Sequence, residues 1–247
     1  LLIRQHKGNK NTDFAYYQLA QTEYRAGNME KATDEFKNLL KNYPNSDLAD
    51  DAQYGIGWMY FQKKDYSNAI TEFQKVQLKY PKSELVPKAI YSSGDAYYNK
   101  KDYNSAVKQY NEIVKNFSSS PYLLDALSGI QYCYSIEGKD EEAIKVINDF
   151  IQRNPDNKST PALLLLKGEF LLGQKKYDEA NKSFETIITK YPQFDLTANA
   201  KYNIGRCYAE TKNYDLAISN FMFVFENHKD HTLAPNSLIQ VGQIYQL

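Results

Sequence analysis

The chain has few of the side chains that bind metals or carry out nucleophilic catalysis. Among its 247 residues only two are cysteine and three are histidine. A structural zinc ion usually needs four ligands, and no cysteine lies near His228 and His231. Gly55 and Gly57 do not form a phosphate loop, because no strand precedes them and no phosphate-binding lysine follows. We therefore expect no catalytic residues, no metal, no cofactor and no enzymatic activity.

The chain also lacks an excess of charge of either sign and any long apolar run. Its 30 basic and 30 acidic side chains give a formal net charge of zero, so no overall field attracts nucleic acid or anionic lipid. Lys167, Gly168 and Glu169 interrupt the longest apolar stretch, which is shorter than the ~20 residues that a membrane span needs. We expect no nucleic-acid partner and no direct membrane insertion.

A strict repeat runs through the sequence. Large apolar residues follow a recurring alanine at four and seven positions, which marks one face of a helix. A fixed period of this length indicates units that bury their apolar faces against their neighbours. Cys133 and Cys207 lie two units apart, about 16–20 Å at the usual spacing of packed helices, too far for a disulfide. The alanines stand 37 residues apart, at Ala32, Ala69, Ala106, Ala143, Ala180 and Ala217.

Each unit is expected to contain two helices. Lys-Lys-Asp-Tyr at 63–66 and at 100–103 predicts the turn between them, and Tyr-Pro pairs such as Tyr80-Pro81 predict the end of the second helix. Prolines mark the expected first position of the first helix. These prolines are Pro87, Pro161 and Pro235.

A small residue recurs twelve positions before the alanine. A helical glycine costs about 1 kcal/mol relative to alanine, so we expect another backbone to pass close to it, where two helices cross. The column contains Ala20, Gly57, Gly94, Gly168, Gly205 and Gly242, with Gln131 in the fourth unit.

The order of these residues resembles the tetratricopeptide repeat family over about the whole chain. Three extra residues, such as 45–47, lengthen the linker beyond the usual 34-residue unit. The Tyr-Pro-x-Ser linkers at 43–46 and 80–83 most resemble bacterial cell-envelope members, such as the outer-membrane assembly lipoprotein BamD and the periplasmic coordinator that binds TolA. The resemblance implies an all-α fold, a right-handed α-α superhelix of helix-turn-helix repeats whose first helices line a concave groove.

We expect one solenoid domain over residues 1–247. The first residues resemble the tail of a second helix, and the last apolar helix has no partner, so we expect a window from a longer array. Exposed array ends could then join copies into an oligomer. The expected boundaries are a partial repeat at 1–12, full repeats at 13–49, 50–86, 87–123, 124–160, 161–197 and 198–234, and a partial repeat at 235–247.

The groove implied by the resemblance is aromatic in its first half and aliphatic at the fifth repeat. Tyrosine and tryptophan offer rigid contact area with a polar tip, which suits peptide capture. Several of these rings have the alternative of packing between helices, and Leu165 and Leu172 either form an exposed patch or lie under the sixth repeat. The candidate groove residues are Tyr17, Tyr24, Tyr54, Trp58, Phe61, Tyr91, Asp95, Tyr98, Tyr132, Leu165, Glu169, Leu172, Tyr202 and Arg206.

Charge at the groove positions favours a protein partner. Five acids against three bases disfavour phosphate binding, although stacking on aromatic rings leaves single-stranded RNA as a lesser alternative. The lysine-rich carboxylate clamp of the chaperone-binding members of the family is not matched, because tyrosine, leucine or serine stands at the position of Tyr17 in each unit.

We therefore expect a non-catalytic scaffold that binds a peptide or helical segment of a protein partner in the groove. The expected location is the periplasm within the bacterial cell envelope, or otherwise the cytoplasm. The alternative is a regulatory or docking arm of a larger enzyme or assembly machine whose active domain lies outside this chain.

Overall fold

The computed structural model describes residues 11–192 and 195–247. Within these ranges the chain forms thirteen α-helices and no strand. Odd-numbered helices are called front helices below, and even-numbered ones back helices. The bounds are α1 Thr12–Arg25, α2 Met29–Asn42, α3 Ala49–Gln62, α4 Tyr66–Lys79, α5 Val86–Asn99, α6 Tyr103–Asn116, α7 Leu123–Ile136, α8 Asp140–Arg153, α9 Thr160–Gly173, α10 Tyr177–Lys190, α11 Thr197–Glu210, α12 Tyr214–Asn227 and α13 Leu233–Ile244.

The helices repeat at the predicted period. The back helices begin 37 residues apart throughout, and α1 to α12 each contain 14 residues. Each predicted boundary of a full repeat lies one residue inside a front helix. Pro87 and Pro161 accordingly occupy the second helical residue and Pro235 the third, so the first position predicted for them was wrong by one or two residues.

The chain divides into two compact units, one ending at Ala143 and the other beginning at Ile144, within α8. In the first unit, the cores form around the back-helix rings of Phe36 and Phe73. In the second unit, Phe184 and Phe221 take this place. The single continuous domain stays a prediction, and the partial repeat at 1–12 lies almost wholly outside the described residues.

Each front helix from α1 to α11 is followed by a left-handed residue that closes a tight turn. At the end of α3, the Lys64 N–H donates to the Phe61 carbonyl and the Asp65 N–H to the Tyr60 carbonyl, so two otherwise unpaired carbonyls are satisfied. The Asp65 side chain then accepts a hydrogen bond from the Asn68 N–H at the start of α4. The left-handed residues are Gly27, Lys64, Lys101, Gly138, Lys175 and Lys212.

The Tyr-Pro-x-Ser linkers bond back to the start of the front helix of their own repeat. Ser46 Oγ donates to Asp13 Oδ2 at 2.6 Å, and Ser83 Oγ makes the equivalent bond to Asp50. The hydrogen bond from Ser46 lowers the pKa of Asp13 most, and the hydrogen bond from the Phe14 N–H lowers it further. The linker serine therefore ties the end of each of these two repeats to the start of its own front helix.

The recurring small residue makes room for an aromatic ring. A Cβ atom added at Gly94 would lie 2.5 Å from the Tyr110 ring, and one at Gly57 would lie 2.6 Å from Phe73. Gly168 and Gly205 meet back-helix rings in the same way. The expectation of a close backbone was therefore wrong, because the side chain of the back helix fills the space. All six repeat alanines are buried as expected.

The longest apolar stretch forms α9, which is too short to span a bilayer. In the part of the chain that the structure describes, no helix has the length and hydropathy that crossing a membrane requires. In α13, the last helix of the second unit, Leu238 and Ile239 are exposed.

Candidate functional site

Four of the candidate groove tyrosines share one position of the repeat, and all four take part in the repeat packing. Each leans against the back-helix aromatic of its own repeat, and each remains only half-buried. One edge of the ring is thus held by the fold and the other reaches the surface. The pairs, with the distance between ring centroids, are Tyr17–Phe36 at 5.7 Å, Tyr54–Phe73 at 5.2 Å, Tyr91–Tyr110 at 5.7 Å and Tyr202–Phe221 at 5.4 Å.

A first pocket of about 310 Å³, here named the Trp58 pocket, lies on α1, α3 and α5 of the first unit. Trp58 Nε1 donates to the Tyr24 hydroxyl at 3.1 Å, and the indole stacks on Phe61 at 5.5 Å between centroids. These contacts fix the tryptophan in one orientation. The lining includes Tyr17, Gln21, Tyr24, Arg25, Asp51, Tyr54, Trp58 and Lys88.

Both signs of charge are present in the Trp58 pocket. Lys88 Nζ lies 4.4 Å from the centroid of the Tyr54 ring, a cation–π contact. Burial raises the pKa of Tyr54 to about 12, although the hydrogen bond to Ser92 opposes the rise. Burial also raises the pKa of Asp51, with Asp50 adding to the effect and Lys88 opposing it. The pocket can therefore accept a ligand with mixed polar and apolar character.

A second pocket of about 500 Å³, here named the Asp95 pocket, lies on α5, α6 and α7 of the same unit. Its floor is the buried Tyr110 ring, which is held between Gly94 and Gly129. A Cβ atom on Gly129 would lie 2.6 Å from the ring, about as close as one on Gly94. The other lining residues are Tyr91, Asp95, Tyr98, Asp125, Ser128 and Tyr132.

Asp95 is the acid of this pocket whose pKa is shifted by its surroundings. Its Oδ1 accepts a hydrogen bond from the Tyr110 hydroxyl at 2.7 Å. Burial raises the pKa of Asp95 to about 6, the hydrogen bonds from Tyr110 and Tyr91 lower it, and Asp125 raises it again. Tyr132, with 61% of its surface exposed, stands at the open side.

The candidate residues of the second unit lie in different surroundings. Leu172, only 7% exposed, belongs to the core with Cys207, so we remove it from the site, and Leu165 packs against the same core. Glu169 and Arg206 both bond to the side chain of Asn203, at 3.2 and 2.9 Å. The fifth repeat therefore presents polar groups and one half-buried leucine rather than an aliphatic patch.

Sequence reasoning missed the back-helix contribution to the Asp95 pocket. Tyr110 stands four residues after Ala106, among the large residues that follow each repeat alanine and include Phe36 and Phe73, and its hydroxyl was the available signal. Asp125 is one of the five acids counted at the groove positions, but it was left out of the site. Both become informative only when their distance to Asp95 and to the pocket is known.

In the described ranges no three His, Cys, Asp or Glu side chains come together as a metal site would require. Cys133 and Cys207 are buried free thiols, and burial raises the pKa of each to about 11. His231 Nδ1 accepts a hydrogen bond from the Leu233 N–H, which is a linker role.

The family of the chain follows from a match that covers most of it. The YfiO model, described as an outer membrane lipoprotein, matches residues 9–86 and 84–221. The chain belongs to the YfiO family.

Other proteins resemble this YfiO family member more distantly. A curated relative, the Hsp70-Hsp90 organising protein of Plasmodium falciparum isolate 3D7, is 35% identical over 80 residues, which are 32% of this chain. The chain spans only 13% of the length of that relative.

Solved structures share the fold of this YfiO family member. PilF of Pseudomonas aeruginosa has a TM-score of 0.52 at 16% identity, over 92% of this chain and 97% of PilF. A tetratricopeptide repeat protein of Parabacteroides merdae has a TM-score of 0.50 at 16% identity, over 90% of this chain and 81% of that one. The expected all-α superhelical fold of tetratricopeptide type is thereby confirmed.

Proposed function

We propose that the chain is a non-catalytic scaffold that captures an extended or helical segment of a partner protein on the front helices of its first unit. The observation that carries this proposal is the pair of aromatic-walled pockets on α1, α3, α5 and α7. Their side chains are held by hydrogen bonds and ring contacts before a ligand arrives, which lowers the ordering cost of binding.

The similar proteins support a binding role. The fold is that of tetratricopeptide repeat proteins, and the curated relative is named as an organiser of two other proteins. Chaperone specificity is not carried over, since Tyr17, Tyr54 and Tyr91 stand at one of the groove positions where a lysine-rich clamp would be expected.

We place the chain in the bacterial cell envelope, on the periplasmic side. The family description as an outer membrane lipoprotein supports this location. The Tyr-Pro-x-Ser linkers, which resemble those of BamD and of the TolA-binding coordinator, support it further. Fractionation of the native host with an antibody to the protein tests the proposal, and recovery in the cytoplasmic fraction alone would contradict it.

Site-specific photo-crosslinking in the native host tests the surface. We expect benzoylphenylalanine at Trp58 or Tyr132 to crosslink the partner, because both side chains line the pockets. The control is the same probe at Leu78, which is 80% exposed on the back helix α4 and outside both pockets.

A matched pair of substitutions follows from the same geometry. Trp58→Ala removes the stacked indole and should abolish the crosslink from Tyr132, while Leu78→Ala should leave it unchanged. Equal crosslinking from all three positions, or an undiminished crosslink in Trp58→Ala, would place the partner elsewhere. Circular dichroism verifies that helical content is the same in both variants.

A second candidate is a docking arm of a larger protein. It is favoured by the curated relative, of which the matched repeats form a small part. The full coding sequence decides this point, because an adjoining catalytic domain would support the docking arm.

A further inference from the structure

The two pockets occupy equivalent positions two repeats apart. Tyr17, Tyr24 and Asp51 of the Trp58 pocket correspond to Tyr91, Tyr98 and Asp125 of the Asp95 pocket, and Trp58 corresponds to Tyr132. The backbone frame and three aromatic positions are therefore shared, whereas Ser128 takes the place of Tyr54. Differences between the pockets arise from a small number of exchanged side chains.

The exchanged side chains change the charge of the pocket. Gln21 is replaced by Asp95 at the equivalent position, and Phe36 is replaced by Tyr110. The added hydroxyl donates to the added carboxylate, so the two changes form one hydrogen-bonded pair. Arg25 and Lys88 line the Trp58 pocket, whereas the described residues around the Asp95 pocket include two acids and no base.

We propose that the Asp95 pocket binds the basic side chain of an arginine or lysine in the captured peptide. This inference rests on the proposed function, since it names the chemistry of one contact on that surface. Asp95 and Asp125 offer carboxylate oxygens for charge-assisted hydrogen bonds. The faces of the tyrosine rings attract a cation, which would receive both kinds of contact at once.

The chain itself contains an example of this chemistry. Lys88 Nζ lies over the Tyr54 ring in the neighbouring pocket. In the Asp95 pocket, Tyr91 is held between Tyr110 and Tyr122, with centroids at 5.7 and 5.6 Å, so its position is fixed. A half-buried carboxylate without a cation beside it is poorly solvated, and a bound cation would relieve that cost. An acidic peptide side chain would instead be repelled.

Paired peptide pools test the inference. The probes are synthetic decapeptide pools in which one position is fixed as arginine or as citrulline, its neutral counterpart of nearly equal shape. Binding to the purified chain is measured by fluorescence polarisation. For at least one fixed position, we expect the arginine pool to bind about tenfold more tightly, because citrulline loses both the charge and the cation–π contact.

Three single substitutions assign the preference to the pocket. Asp125→Asn and Asp95→Asn should each reduce the preference for arginine, and the asparagine at 95 keeps an acceptor for the Tyr110 hydroxyl. The matched control is Asp51→Asn, the equivalent of Asp125 in the Trp58 pocket, which should keep the preference. A preference that survives both substitutions in the Asp95 pocket, or that is lost in Asp51→Asn, would overturn the inference.

The same experiment separates this inference from the proposed function. Equal binding of both pools, weakened in each case by Trp58→Ala, would refute the basic-side-chain contact and keep the peptide-binding surface. If no pool binds, the inference fails with the proposed peptide-binding function itself.

Discussion

Four lysines hold a backbone conformation that suits glycine better. Lys64, Lys101, Lys175 and Lys212 have φ values of 60–63°, in the left-handed region. This conformation costs an L-residue about 1–2 kcal/mol. The left-handed conformation is kept at these lysines because the two backbone hydrogen bonds that close each turn depend on that conformation.

Replacing one of these lysines by glycine should stabilise the protein. For Lys101→Gly we expect the free energy of unfolding to rise by about 0.5–1 kcal/mol, since relief of strain exceeds the added flexibility of the unfolded chain. Urea unfolding followed by circular dichroism measures the change. The control is Lys100→Gly, where φ is −75° and glycine should be destabilising. A lower urea midpoint for Lys101→Gly would contradict the assignment of strain.

Asp95 should make stability depend on pH in the direction opposite to most aspartates. Its folded pKa is raised to about 6 from 3.8, chiefly by burial, so the folded state binds more protons than the unfolded state between these values. The contribution of Asp95 is therefore complete below pH ~4 and lost as pH rises through about 6. Tyr91, Tyr110 and Asp125 are the groups that interact with it.

The measurement compares two proteins across this pH range. We expect the free energy of unfolding of the unmodified chain to fall relative to that of Asp95→Asn as pH rises from 4 to 6.5, because the amide does not titrate. A difference between the two proteins that stays constant with pH would show that the carboxyl group is not shifted.

At the scale of the helix pair, the sequence predicted the elements well and the contacts less well. Helix ends fell within one or two residues because prolines and the Lys-Lys-Asp-Tyr turns act locally. The partner of Gly94 could not be read in the same way. It is a ring from Tyr110 on the next helix, and whether a ring or a backbone fills such a space depends on side-chain direction.

A glycine pair tests the helix contact. Gly94→Ala should lower the free energy of unfolding by about 1–3 kcal/mol, because the new methyl group would overlap the Tyr110 ring. Gly242→Ala on α13 meets nothing within 4 Å and should raise it by up to about 1 kcal/mol. Thermal unfolding of both variants gives the comparison, and equal effects would contradict a packing role for Gly94.

The repeat position shared by Tyr17, Tyr54, Tyr91 and Tyr202 shows why sorting residues by their position in the repeat was not enough to define the site. Tyr54 recurs with the repeat because it packs on Phe73, yet the same residue lines the Trp58 pocket. A large aromatic ring has enough surface to serve the core and a binding site together. The column alone does not distinguish the two roles.

At the scale of the whole molecule, the repeat accounts for the fold and its exceptions account for the candidate site. Asp95 and Tyr110 differ from the residues that hold the same positions in the first repeat, and Trp58 is the single tryptophan of the chain. The sequence predicted the aromatic surface, but it could not show that the fifth-repeat leucine at 172 is buried or that two departures from the repeat form one pocket.

The balanced charge of the chain predicts weak binding to nucleic acid. With a formal net charge of zero, we expect no measurable retention of single-stranded RNA at physiological salt, because phosphate binding requires lysine and arginine in number. Filter binding over a series of salt concentrations is the measurement. Retention that falls steeply with rising salt would instead favour the lesser alternative, an RNA-binding surface.

The grip of Gly94 and Gly129 on Tyr110 has a consequence for motion. The two edges of the ring touch different front helices, so a half-turn of the ring requires those helices to separate briefly. Such rotation is slow in a tightly packed interior. The flip rate of the Tyr110 ring can be measured from the line shape of its NMR resonances. It would therefore report how often two neighbouring repeats separate transiently.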